Sequence, residues 1–181
     1  MNPYESIHAV SRLFLTSIIK ISTFYVDQDL VPECRFKEVQ MKVDVTGNWK
    51  LLSFKMETED GKVIYPYGED AVGYLTYTEQ NFMSVSIMRA NRVFFEGGDL
   101  KVGTVNEKTA AIDDYLTYCE GYSIDGDKVV HHIEMSLFPN WTGQDQERFF
   151  ELKGDELKLS TAPFLVQGEQ RTARLIWQRV A

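Results

Sequence analysis

The chain has 181 residues, 44% hydrophobic, 13% aromatic and 25% charged, which suits one well-cored domain and is short for two. Its formal charge of -8 and its pI near 4.9 work against binding to phosphate backbones or anionic lipid, which require a basic patch. Neither nucleic acid nor a membrane surface is an expected partner.

Residues 12–26, RLFLTSIIKISTFYV, are an apolar stretch that Lys20 interrupts before it reaches the ~20 residues of a membrane span. No small-x-small cleavage pattern follows it. Met41 stands shortly before Gly47-Asn48-Trp49, the first clear domain signal. Residues 1–43 are therefore read as an N-terminal extension, either an upstream start or a helical or disordered appendage, and 44–181 as the folded domain. Cys34 and Cys119 are the only cysteines and belong to no C-x-x-C pair. That predicts neither a disulfide framework nor structural zinc, and it fits a reducing, cytoplasmic compartment.

From residue 47 the pattern is that of strands. Short β-rich runs at 48–58, 72–78, 82–90, 118–124, 128–137, 146–152, 156–161 and 172–179 are separated by EDGK, EQN, DGD and KGDE, the Gly, Asp and Asn clusters of hairpin turns. One segment differs. Residues 104–119 open with Thr104 and, three positions on, Glu107, a capping box. Ala111, Ile112, Tyr115, Leu116 and Cys119 then recur at helical spacing, so a helix covering one side or mouth of the sheet is expected. An antiparallel sheet of eight strands gains by closing, because closure removes exposed edges. The expected fold is all-β: an eight-stranded antiparallel up-and-down barrel with one inserted helix near 104–119. Such a barrel is just wide enough to be filled by side chains or to hold one small ligand.

GNWKLLSF, in the first strand, resembles the G-x-W signature of lipocalins and other calycins, and LIWQR resembles their last strand. The resemblance implies a structural pair, Trp49 at the closed end of the barrel beneath Arg179. DGKVIYPYGEDAVGYLTYT, FMSVSIMRANR, VVHHIEMSLFPNW and GQDQERFFEL are similar to a narrower group, the bacterial and fungal lipocalin-like domain proteins. Together these segments run from Gly47 to Arg179. The chain lacks the disulfide, the Thr-Asp-Tyr motif and the C-terminal helix of secreted lipocalins, so the resemblance implies the fold and not secretion or hydrophobe transport.

Strand alternation over 128–137 puts Val129, His131, Ile133, Met135 and Leu137 on one face, and Val130, His132, Glu134, Ser136 and Phe138 on the other. The adjacent histidines point opposite ways and cannot share one metal ion, so no metal is expected. His131 sits in an aliphatic layer. His132 and Glu134 are close enough for a carboxylate to orient an imidazole, a candidate catalytic pair if their face looks inward. Alternation alone leaves open which face does. Arg89 ends the apolar row of Met83, Val85 and Ile87, which suits an anionic ligand, a paired charge or a rim position. Arg148 and Gln146 share a face and could fork onto a carboxylate or carbonyl, the alternative being an ion pair with Glu134 or Glu151. Tyr65 and Tyr67, around Pro66, and Trp141, after the turn at Pro139, are aromatic candidates for a pocket mouth.

The chain holds no G-x-x-x-x-G-K-[ST], no G-x-G-x-x-G and no G-x-S-x-G, so no nucleotide cofactor or common hydrolase chemistry is expected. The favoured expectation is a barrel that binds a small, partly apolar molecule, anionic if an arginine meets it. The alternatives are an isomerase, cyclase or hydro-lyase using His132 and Glu134, and a solid-cored interaction module.

Overall fold

The computed structural model describes residues 44–99 and 101–180. The extension expected at 1–43, with its apolar stretch and Cys34, lies outside the described residues. Ten strands follow in chain order: β1 Gly47–Thr58, β2 Val63–Ile64, β3 Val72–Tyr77, β4 Phe82–Met88, β5 Tyr115–Asp125, β6 Lys128–Ser136, β7 Gln144–Lys153, β8 Glu156–Ser160, β9 Phe164–Val166 and β10 Glu169–Val180. All pair antiparallel in one sheet, with β1 also paired to β10 along almost its whole length. That last ladder closes the barrel. β2 pairs only with the far end of β1, and β9 only with the near end of β10. The wall is therefore the eight strands expected, and two short hairpin strands are added to it.

Alternation explains the wall. On β4, Met83, Val85 and Ile87 are buried while Phe82 is exposed, the period of a strand with one apolar side. Two irregularities bend it. The β1–β10 register shifts between Leu51 and Ser53, leaving Leu52 exposed and returning Phe54 to the interior. The β5–β6 register shifts at Cys119 and Glu120, with Cys119 opposite Met135 and Glu120 opposite Ile133, so that Glu134 is the extra residue. Such bulges increase local twist and re-aim side chains. Gly126 and Gly154 lead the two-residue loops after β5 and β7 with φ of 59° and 58°, the left-handed region that tight hairpins need.

The helix is shorter than expected. The capping box forms, with Thr104 and Glu107 satisfying each other's backbone, but α1 spans Val105–Asp113 and buries none of its residues. Tyr115, Leu116 and Cys119 belong to β5, paired with Met88, Ile87 and Ser84 of β4. The apparent helical stripe joins two elements, because the β4 ladder outcompetes helix continuation past Asp114. Cys119 is a free thiol. Among the described residues no helix is long and apolar enough to cross a membrane.

The closed end lies where β1 begins and β10 ends. Trp49 is fully buried, donates from Nε1 to the Val45 carbonyl at 2.9 Å and carries the Arg179 guanidinium 4.1 Å over its ring. Arg179 also donates to the Thr46 carbonyl and lies 3.6 Å from Asp155. A stacked, hydrogen-bonded cation of this kind stabilises the end of the barrel.

Candidate functional site

Inside the wall is a pocket of about 840 Å³, within the range of cavities that enclose a small organic molecule. The barrel is thus not filled by its own side chains. Leu75, Val85, Ile87, Leu159 and Trp177 form the buried part of the lining, and Tyr67, Ile112, Phe138, Trp141 and Phe164 form the more exposed part. Inward positions of β3, β4, β8 and β10 supply the first set. The second comes from the loop before β3, the end of α1, the turn at Pro139–Trp141 and β9.

One polar cluster breaks the apolar lining. His131, 1% exposed, stands on β6 with its Nε2 2.7 Å from Tyr77 Oη and its Nδ1 3.0 Å from Tyr118 Oη. Burial holds the His131 pKa well below its usual 6.5, and the nearby positive charge of Arg148 lowers it further, so the ring is neutral. Burial likewise pushes the Tyr77 phenol well above 10.0. Tyr122 packs on Tyr77 with ring centroids 4.7 Å apart and donates to the Thr78 carbonyl at 3.0 Å. Trp141 meets Tyr118 edge-on at 5.6 Å. The rings hold the histidine in one orientation.

Arg148 faces the same space. It is 9% exposed, and its Nη1 donates to the Glu147 carbonyl at 2.8 Å. Among the described residues it has no carboxylate partner: Glu151 lies beside Lys153 and Glu147 beside Lys128. Gln146, on the same face of β7, also lines the pocket. Trp177 Nε1 is buried in the wall with no partner among the described residues.

The sequence-derived candidates sort cleanly. His131, Arg148, Tyr67 and Trp141 line the pocket. Tyr67 packs 5.7 Å from Phe54. Tyr65 is 40% exposed and does not line it. Arg89 takes the rim position: its Nε lies 2.7 Å from Asp114 and its Nη2 3.3 Å from the Pro66 carbonyl. The His132–Glu134 relay does not form. His132 is on the outer side of the wall, its Nδ1 2.7 Å from Asp145 and its Nε2 3.0 Å from Ser123, while Glu134 is exposed at the bulge. The bulge also corrects the face assignment, because it turns Met135, 67% exposed, away from the interior that His131 and Ile133 face. Acid–base chemistry by that pair inside the barrel has no geometric basis.

Sequence reading missed Tyr77 and Tyr118. The available signal was parity: Tyr77 shares its side of β3 with Leu75, and Tyr118 shares its side of β5 with Tyr122. It also passed over Arg171, 3% exposed, which pairs with Glu169 and keeps Nε and Nη1 buried without partners among the described residues.

A family model described as a lipocalin-like domain matches residues 46–180. Among characterised proteins, the 4'-hydroxy-3'-methoxypropiophenone carrier protein ppsC of Aspergillus oryzae (strain ATCC 42149 / RIB 40) is 34% identical over 107 residues, covering 54% of this chain and 96% of that protein. No solved structure matches the chain.

Proposed function

This chain belongs to the lipocalin-like domain family, and from that premise we propose that its barrel binds one small, partly apolar molecule with an anionic group, held in the interior pocket. The observation that carries the reading is Arg148, nine-tenths buried in the wall of an 840 Å³ pocket with no carboxylate partner among the described residues. A buried guanidinium left uncompensated is costly, and a bound anion offsets that cost. The apolar lining supplies the driving force for the rest of the ligand. The similarity to a carrier of an aromatic ketone supports a ligand of that size, an aromatic body with oxygen substituents. The open pocket also speaks against the solid-cored interaction module.

The test is retention. Protein purified without refolding and exposed to a metabolite extract is expected to carry one acidic small molecule by native mass spectrometry and to melt at a higher temperature with it. Ala173→Phe fills the pocket from an inward position of β10 and is expected to abolish retention while the barrel still folds. Absence of any retained compound or thermal shift, or equal retention by Ala173→Phe, would falsify the reading.

A further inference from the structure

The hydrogen bonds around His131 decide which groups are left for a ligand. Tyr77 Oη is buried, its phenol is protonated, and its one partner among the described residues is His131 Nε2 at 2.7 Å. Its proton therefore goes to Nε2, since the opposite arrangement strands a buried donor and incurs its full desolvation penalty. A neutral imidazole that accepts at Nε2 carries its proton on Nδ1, which then donates to Tyr118 Oη at 3.0 Å. Tyr118 is left with its own O–H and no acceptor among the described residues, on the lining of the pocket. Arg148 adds Nε and Nη2, neither of which has a partner among the described residues. The polar end of the pocket is thus rich in donors and carries a positive charge.

Two carboxyl residues line the pocket, Asp113 and Glu147. Glu147 holds its carboxylate 2.7 Å from Lys128, and Asp113 sits with Ile112 among the exposed residues of the mouth. Neither occupies the place of a ligand anion beside Arg148. One buried cation offsets the desolvation of a weakly hydrated, delocalised anion better than that of a strongly hydrated carboxylate. Phe54, Tyr67, Trp141 and Trp177 provide faces and edges for a planar conjugated body.

We propose that the pocket takes its ligand as a delocalised oxyanion, the phenolate or enolate of a weak acid, with the Tyr118 hydroxyl and the Arg148 guanidinium as its two donors. The proposal rests on the binding reading above and specifies its ligand. It makes the barrel a device that lowers the pKa of the molecule it holds, with His131 as the positioning residue that turns Tyr118 into a donor.

Three probes test it on the full-length protein: 4-nitrophenol, 4-nitroanisole and 4-nitrobenzoate. The apparent pKa of bound 4-nitrophenol, read from nitrophenolate absorbance against pH, is expected to fall by about one unit or more, as it does beside a buried opposite charge. Phenolate then binds at least about tenfold more tightly than phenol, and more tightly than 4-nitrobenzoate. Tyr118→Phe and Arg148→Met are each expected to weaken phenolate about tenfold more than they weaken 4-nitroanisole, whose binding reports an intact pocket. An unshifted or raised pKa, tighter binding of 4-nitrobenzoate, or equal losses for phenolate and anisole in both variants overturns the oxyanion assignment and leaves the binding reading standing. Failure of all three probes to bind overturns the oxyanion assignment, and the retention experiment above decides the binding reading separately.

Discussion

Arg179 and Arg148 are arginines of the same barrel, one at the closed end and one in the pocket wall. Arg179 stacks 4.1 Å over Trp49, donates to the Thr46 carbonyl and approaches Asp155. Arg148 is more deeply buried, yet it makes one hydrogen bond, to the carbonyl beside it, and has no carboxylate partner among the described residues. The first cation is satisfied by the chain and holds β1, β10 and the residues before β1 together. The second keeps spare donors toward an open cavity, where on the proposed reading their cost to the fold is offset by a bound molecule. Burial does not separate these two arginines by role, and a count of donors unpaired among the described residues does not either, since Arg171 keeps two such donors away from the pocket. What sets Arg148 apart is that its spare donors lie on the cavity lining.

The largest test of this contrast is at the closed end. Trp49→Ala removes a fully buried indole and the seat of Arg179, and is expected to lower stability by about 3–5 kcal/mol in denaturant unfolding; a loss under about 1 kcal/mol would break the contrast. Next come the arginines themselves. Arg179→Met is expected to cost about 1–2 kcal/mol, from the lost stacking and hydrogen bond. Arg148→Met is expected to leave stability within about 1 kcal/mol of the parent or above it, since it removes an uncompensated buried charge. Equal losses would mean that Arg148 is scaffold after all.

The smallest effect is a pH slope from His131. Its native pKa lies well below the unfolded value of 6.5, so on acidification the unfolded chain takes up a proton that the native state refuses. This contribution is fully present above pH 6.5 and is lost as pH falls below it, by up to about 1.4 kcal/mol per unit. Between that point and about pH 5 the parent should lose stability more steeply than His131→Gln. Matching slopes would show that His131 is not held neutral in the native barrel.

Much of the fold is legible from local pattern. Alternation in β4 marks Met83, Val85 and Ile87 as inward, and the Gly-Asp turns mark the hairpins at Gly126 and Gly154. The site is less legible. Alternation split His131 from His132 correctly and put Leu137 on the pocket side, but the bulge at Glu134 turns Met135 outward, and a bulge has no local signature in this stretch. Tyr115, Leu116 and Cys119 fit a helical stripe because strand and helix periods overlap over so few residues. Arg89 fits a pocket position on β4, yet the strand ends at Met88 and Asp114 draws the guanidinium to the rim.

The amino-acid sequence by itself determined the class of fold, eight wall strands with aromatic and aliphatic side chains on one face, because period-2 burial and turn chemistry are local properties of a chain. It also determined that His131 and His132 act on opposite sides of the wall. Which side is the inside, and that Tyr77, Tyr118 and Arg148 converge on His131, was decided only by the tertiary structure. Closing β1 onto β10 sets the barrel's curvature, and pairing β5 with β6 and β6 with β7 brings together groups far apart in the chain. Hydrogen-bond satisfaction, and which side of the wall a spare donor faces, then have to be read in three dimensions, and the two together distinguish Arg179 and Arg171 from Arg148.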